Sequence, residues 1–485
     1  MSLSSTLQNA LTGLGAAARS AQVVSNNVSN ATTEGYSRQE IELNPKVVGG
    51  RGAGVKVVGV SRAVDEVLLR EHRLAKASIG SAEVASDFQS AALNLIGEPQ
   101  SAASLNARVV EFETALLEAA SRPESDARLS TILSAAGALS EKLNSASDGI
   151  QVLRQDADAA IATEVVRLNT TLVQIQDLNE QILRAQGTSR DYPSLLDNRD
   201  RLINDISDLV PIRKLERAND TVALYTLTGT LLVDIEPAEF EFQTTTPITA
   251  DMTQASGALS GLVLNGQALS TSGENGQIAG GRLAALFAVR DELAVTVQDN
   301  IDTVARDLIS RFEDPTVDPT LTVGDPGLFT DGGAALDPLD TVGLAARVSV
   351  NDLVNPDEGG DLWRLRSGIG SAAAGPVGDA SLIQAQITSL SEFVSPTGGT
   401  FSTSGKTAAG FASEIASLVG LSFQDSESRL TFATARFAGL DEALLAQGVD
   451  TDQELQKLLL IEQAYAANAR VIQTADELIQ LLIRL

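Results

Sequence analysis

Cysteine is missing from all 485 residues, which removes disulfides, thiolate metal sites, iron–sulfur ligation and cysteine nucleophiles from consideration. Histidine occurs once, as His72, so no two-histidine metal site exists and few routes to a catalytic triad remain. No apolar run approaches the ~20 residues needed to span a bilayer. Positive charge is in short supply: 35 basic residues against 63 acidic ones give −28. A surface that acidic repels phosphate backbones and anionic lipid, so neither nucleic-acid nor peripheral membrane binding is expected, and without a long apolar run no membrane insertion is expected either. Nor does the N-terminus read as an ordinary secretory signal. Its first basic residue is Arg19, and no compact apolar block precedes a small-residue cleavage site.

Aliphatic sequence fills the gap. Aromatics make up 4% of the chain and hydrophobic residues 43%, so the cores rest on Ala, Leu, Val and Ile, a mixture that favours helices. The length suits roughly two to four domains at ~100–200 residues each. Charge is distributed unevenly. Arg19 is the only charge in residues 1–33, and residues 455–485 balance Lys457, Arg470 and Arg484 against Glu462, Asp476 and Glu477. The acid lies between, with 31 basic minus 60 acidic, or −29, in residues 34–454.

Both ends read as helices. Leu3, Ala10, Ala17 and Val24 recur every seven residues, as do Leu7, Leu14, Ala21 and Val28, and the offset of four is the a/d spacing of a coiled-coil seam. One amphipathic helix packed on its own domain fits the same spacing, and periodicity does not separate the two. Gly35 supplies the stop. In the C-terminal helix Leu458, Tyr465, Ile472 and Ile479 form one series and Ile461, Asn468, Ala475 and Leu482 the other. Asn468, the one polar seam residue, either fixes register or is simply solvated. A helix from Leu455 to Leu485 extends ~46 Å. Helices this rich in Ala and Ser are marginal alone and need partners. Near-neutral ends around an acidic body suit a polymer whose ends are central and whose body faces water, because like charges in a crowded core are costly.

Between the ends, shorter helices are predicted over 71–96 and 101–122, separated by Gly97-Glu98-Pro99. A rod-like helix follows between Pro123 and Pro193. Its apolar face runs through Leu139, Leu143, Ala146, Ile150, Leu153, Ala157, Ile161, Val165, Leu168, Leu172, Ile175, Leu178 and Ile182, with Gly149 as a candidate break. A further helix spans Leu195–Leu209. Then the period changes to two: 221–227 and 231–233 read as a hairpin, and 239–242 alternates. Gly280-Gly281 introduces a helix through Arg311. Pro, Gly and Asp dominate from Asp314 to about Gly378, with strand candidates at Ala345–Val350 and Leu362–Leu365. Helical spacing returns near Ala380 and from Ala408 to Gln447. The fold class expected is mainly α with a β-rich insertion, α+β and multidomain.

No catalytic, cofactor-binding or metal site is expected. Abundant carboxylates pair everywhere and identify no glycosidase. The loop carrying Asp314, Asp318, Asp325, Asp331, Asp337 and Asp340 lacks calcium-loop spacing and reads as solvated. Gly49–Gly54 has no following Gly-Lys-[Ser/Thr] and reads as a flexible connection or hairpin. His72 falls on an expected surface helix, Trp363 reads as an anchor in a small core, and no G-x-S-x-G occurs.

Ser25-Asn26-Asn27-Val28-Ser29-Asn30-Ala31-Thr32-Thr33-Glu34-Gly35-Tyr36-Ser37-Arg38-Gln39 resembles the N-terminal signature of the bacterial flagellar rod, hook and hook-associated proteins. Within it Asn26, Asn27, Gly35, Tyr36, Arg38 and Gln39 carry the likeness, and the Gly-Tyr-Ser-Arg-Gln ending is most similar to the hook-associated protein 1 group. Residues 463–478 are similar to that family's terminal helix. Leu195-Leu196-Asp197-Asn198-Arg199-Asp200, Gly280-Gly281-Arg282-Leu283 and Arg290-Asp291 look like its internal blocks. Arg311-Phe312-Glu313-Asp314-Pro315 departs from the family's Asn-containing turn.

The resemblance implies a structural, non-enzymatic protein, secreted unfolded through the flagellar type III export apparatus and assembled extracellularly at the hook–filament junction of the bacterial flagellum. It implies no cofactor. Partners would be sister copies, the hook protein, hook-associated protein 3 and an export chaperone on the C-terminal helix. The expected interface is Leu3, Leu7, Leu14, Val24 and Val28 with Leu458, Ile461, Tyr465, Asn468, Ile472, Ile479 and Leu482. Domains follow as 1–35 with 455–485 (terminal coiled coil), 36–210 with 279–313 and 380–454 (helical rod), and 211–278 with 314–379 (outer β-rich). Alternatives are another axial protein, such as a hook protein, or a secreted coiled-coil adhesin.

Overall fold

The structure is a computed structural model that describes residues 3–98, 100–187, 192–273 and 276–483. Residues 1, 2, 484 and 485 of the expected terminal helices, and Pro99 of the expected break, lie outside them. The chain opens with α1 (Leu3–Ser29) and an antiparallel hairpin of β1 (Gln39–Val48) and β2 (Arg51–Arg62). Four helices follow: α2 (Glu66–Ile96), α3 (Leu105–Ala120), α4 (Asp126–Gly187) and α5 (Pro193–Asp205). Next come β3 (Ile212–Glu216), β4 (Val222–Thr226) and β5 (Leu231–Val233), a sheet of order β3-β4-β5, then β6 (Phe240–Glu241), β7 (Val263–Leu264) and β8 (Gln267–Ala268). The helix α6 (Arg282–Ala288) passes through a π-helical turn, Val289–Leu293, into α7 (Ala294–Glu313). The strands β9 (Phe329–Asp331) and β10 (Val348–Val350) pair beyond it. The helices α8 (Arg364–Ser367), α9 (Ser381–Ser391), α10 (Ala408–Ala446) and α11 (Thr451–Ile483) complete the order.

Two compact units emerge, one of Met1–Ser78, Arg167–Glu239 and Ala433–Leu485, the other of Ile79–Val166 and Phe240–Phe432. The segment 211–278 therefore divides, its first part lying with the chain ends.

The long helix forms as its spacing dictates. Of the thirteen apolar positions on its face, Leu153 and Leu178 are half-buried and the rest are buried. The helix runs 62 residues without a break at Gly149. Glycine there serves close approach instead, since a Cβ would lie 2.4 Å from Leu95 Cδ2. Pro193 sits in the first turn of α5, where its missing N–H costs nothing.

Four local readings are corrected. Within residues 36–210, expected as helical, 39–62 are strands: Gly49 and Gly50 take φ of 58° and 74° and turn the chain back on itself. Leu362–Leu365 has no strand neighbour; it joins a helical turn closed by Ser367 N–H donating to Trp363 O at 2.9 Å. Ala345–Val350 begins as a 3₁₀ turn because Asp302 accepts from Gly343 N and Ala345 N, both at 2.8 Å, so only Val348–Val350 is strand. Trp363 is half-buried rather than a fully buried anchor, with the Arg364 guanidinium over its ring at 4.8 Å.

The core of the second unit is held by Phe112, Phe312 and Phe329, mutually 5.2 to 5.7 Å apart. Beside the aliphatic face of α4, Arg290 is wholly buried in the π-helical turn. It donates to Asp158 at 2.7 Å, to Asp291 at 2.9 Å and to Ser260 O at 2.9 Å. Arg154, also buried, spends its guanidinium on Arg290 O, Thr249 O and Met252 O. Complete satisfaction makes such burial tolerable. The acidic loop is likewise less solvated than expected: Asp318 is buried and accepts from Thr320 N and Ile369 N.

Candidate assembly interface

The chain ends meet within the first unit, where α1 packs against α11 and against the β1–β2 hairpin. One face of α1 buries Ala10, Ala17 and Val24, and half-buries Leu3, Leu7, Leu14 and Val28. On α11 the inner row is Glu454, Ile461, Asn468 and Ala475, seven residues apart; Ile472 and Ile479 are half-buried beside it. The structure leaves Leu458, Tyr465 and Leu482 outside, with exposures of 37%, 49% and 60%. Small residues govern how close the helices come. Asn468 lies directly over Gly13, where a Cβ would stand 2.8 Å from its Oδ1. The Asn468 Nδ2 donates to Ala464 O within its own helix at 2.9 Å, so its polar head stays satisfied in the seam.

The motif that follows α1 is built around Asn27, which is 1% exposed. Its Nδ2 donates to Gln39 O at 2.9 Å and to Glu454 Oε2 at 3.0 Å. Its Oδ1 accepts from Tyr36 O–H and from Gln39 N–H, each at 2.9 Å. Every hydrogen-bonding position of this amide is thereby used. Gly35, at φ 75°, makes the left-handed turn that brings Tyr36 back to Asn27. Burial, with the Asp197 and Glu454 charges adding to it, pushes the Tyr36 phenol up to about 12, so it remains a donor. Glu454 in turn accepts from Lys457 Nζ at 2.6 Å. Asn26 is exposed, and Arg38 pairs with Glu40 at 2.8 Å.

A second polar cluster holds the hairpin, α2, α5 and β3 together. Arg62 reaches Asp197 at 2.9 Å and Asp200 at 2.8 Å. Arg73 pairs with Asp200 at 3.0 Å, and Lys214 stands 3.6 Å from the same carboxylate. Burial works to raise the Asp200 carboxyl, but Lys214, Arg73 and Arg62 outweigh it and hold the group well below the usual carboxylate range. Asp197 moves the other way, raised chiefly by burial. Between them, Arg199 donates to Asn179 Oδ1 at 3.0 Å and Asp220 O at 2.6 Å. The block 195–200 is a buried scaffold.

His72, expected on a surface helix, is 8% exposed. Its ring stacks on Phe437 at 4.5 Å, and Asp441 lies 3.4 Å from Nε2. Burial lowers its pKa. Glu454 and Gly13 escaped the heptad reading, although extending the Ile461–Asn468–Ala475 row back by seven reaches Glu454. Among the described residues no group of three or more His, Cys, Asp or Glu is placed to hold a metal ion, and no helix is long and apolar enough to cross a membrane.

Chain ends that pair with each other while one helix keeps an apolar outer face define a structural protein made for assembly. Residues 92–316 match the model of the flagellar hook-associated protein FlgK helical domain, and residues 441–485 that of the flagellar basal body rod FlgEFG protein C-terminal region. Flagellar hook-associated protein 1 of Bacillus subtilis (strain 168) is 22% identical over 511 residues, covering 98% of this chain and 97% of that one. The Salmonella typhimurium protein of the same name is 28% identical over 238 residues, 48% of this chain and 43% of its own length. The solved flagellar hook junction protein FlgK from Burkholderia pseudomallei aligns with a TM-score of 0.45 at 20% identity, over 54% of this chain and 47% of that one. The chain is similar to flagellar hook-associated protein 1 over nearly its whole length, and these likenesses support a structural protein of the bacterial flagellum.

Proposed function

We propose that this protein forms the zone that joins hook to filament, by packing paired ends of sister copies around the central channel. Residues 1–35 with 455–485 form the axial coiled coil, and the helical body and β-bearing segments lie outside it. The observation that carries this reading is the outer face of α11. Leu455, Leu459, Leu460, Leu478, Leu481 and Leu482 are 49% to 65% exposed on a helix already paired with α1. Apolar area of that extent is stabilised only when something covers it. Many copies of a modest interface supply the binding.

Hook protein adjoins the zone on one side and hook-associated protein 3 on the other. Before assembly the same leucines are held by an export chaperone during passage through the type III apparatus, and the assembled protein is extracellular. Its role is mechanical, without catalysis, and a turbidity assay on peptidoglycan is expected to show no activity. Deleting the gene should leave hooks intact and filaments unattached under electron microscopy; filaments that stay attached would sink the reading. Proteolysis adds a second test, with the ends expected to be cut in the monomer and protected in the assembly.

A further inference from the structure

The β1–β2 hairpin has a face that the fold leaves unused. Every residue from Glu42 to Gly52 is exposed, and Leu43, Val47, Val48 and Val58 show 43%, 62%, 62% and 51% of their surface. The hairpin is tied down near its middle, where Val55 N–H donates to Thr12 Oγ1 at 3.2 Å and Gly54 presses against the same side chain. It is a sheet of two strands, and among the described residues no third pairs on either edge. Two strands alone are marginal in water, and an apolar ribbon with free edges is a template for another surface.

Charge says which surface. Residues 43–61 contain Lys46, Arg51 and Lys56 and no acid, so they carry +3 while the rest of the chain carries −28 − 3 = −31. All three cations are exposed. Copies of so acidic a protein repel one another unless the sign reverses somewhere between them. That same net charge disfavours anionic lipid as the occupant.

We propose that the hairpin is a clasp between copies: it lies on the acidic exterior of a second copy of this chain, Val47 and Val48 packing while Lys46, Arg51 and Lys56 meet its carboxylates. The clasp rests on the reading that copies assemble side by side, yet it uses a surface separate from the paired chain ends.

The absence of cysteine makes the test clean. Val48→Cys provides a single attachment point for a photoreactive maleimide, used on isolated hook–filament assemblies. Covalent dimers of this chain, with the adduct mapped to an acidic segment, are the expected result. Adducts confined to the same chain, or formed on a different protein, overturn the clasp. In parallel, the combined variant Lys46→Glu, Arg51→Glu, Lys56→Glu should shed filaments under shear on the order of tenfold more readily. Retention equal to the parent's would also overturn it. Because the three side chains are exposed, melting of the isolated variant should match the parent; should it not, the crosslink decides. Protease protection of the chain ends on assembly separates the two ideas. Protected ends with no dimer adduct reject the clasp alone, whereas dimer adducts with unprotected ends reject the terminal pairing alone.

Discussion

Helices α7 and α11 end in opposite circumstances. α7 buries 14 of its 20 residues, among them Gln298, Asn300, Asp302, Asp307 and Arg311. α11 buries two of 33, Glu454 and Ala475. One helix is finished by its own chain, most of its buried polar groups included, although Asp307 Oδ1 has no hydrogen-bond partner; the other is finished on a single row and offers leucines elsewhere. Buried polar residues thus mark where the fold is complete, and exposed apolar ones mark where it waits for other molecules.

The sharpest way to break this contrast lies in the second unit, at Arg290. Arg290→Leu strands the buried Asp158 and empties the site between Phe242 and Phe287, whose rings flank the guanidinium at 5.5 and 5.1 Å. Removing one partner of a buried pair costs about 3–5 kcal/mol. Urea denaturation should register it; a loss under about 1 kcal/mol, the range of a surface ion pair, would show that the unit is not completed by its polar anchors. In the first unit the equivalent anchor is Asn27. Asn27→Ala leaves Tyr36, Gln39 N–H and Glu454 short of partners, at a cost of about 2 kcal/mol. Amide exchange should accelerate around Gln39 and at the start of α11, with little change in the second unit.

Hydrophobic periodicity reveals what repeats and conceals what is satisfied only in three dimensions. The face of α4, the two terminal helices and the β4–β5 hairpin were all legible, because each buries a stripe or an alternation. Arg154 lies on the buried side of α4, yet a hydropathy pattern scores it as surface; only the carbonyls of Thr249 and Met252, nearly a hundred residues away, make its burial possible. The α11 seam was half legible for a related reason. Leu458 and Tyr465 satisfy the heptad as well as Ile461 does, and what accompanies the inward row, the hydrogen bond from Asn27 to Glu454 and the close approach of Gly13 to Asn468, joins residues too far apart in sequence for periodicity to show. His72 misled because its neighbours Arg70, Glu71 and Arg73 are charged, while the aromatic that covers it comes from α10.

Acid sharpens the comparison without any substitution. The Asp200 carboxyl is depressed in the folded protein, so its contribution is fully present above the unfolded carboxylate value and is lost as pH falls through the folded one. Asp302 and Asp307 on α7 are raised, chiefly by burial, and so take up protons first in the folded state. Their burial penalty is relieved as pH falls through those raised values. Urea stability should therefore rise modestly as pH falls from neutral to about pH 4, then drop, with the first unit giving way first. Asp200→Asn, though less stable at neutral pH, should flatten that drop; an unchanged acid limb would place the loss elsewhere.

The smallest effect on the folded chain is predicted where assembly should feel the most. Leu459 on α11 is 59% exposed, and Leu459→Ser removes no buried contact, so the isolated protein's stability should move by no more than about 0.5 kcal/mol. If the outer face of α11 is covered by sister copies, the same change deletes apolar area from every repeat of the interface and adds a hydroxyl that must be desolvated. Melting of the purified variant should then match the parent while its retention in isolated hook–filament assemblies falls. A variant that melts like the parent and is retained like it would mean that these leucines face water in the assembly, and α11 would be as finished as α7 despite its exposure.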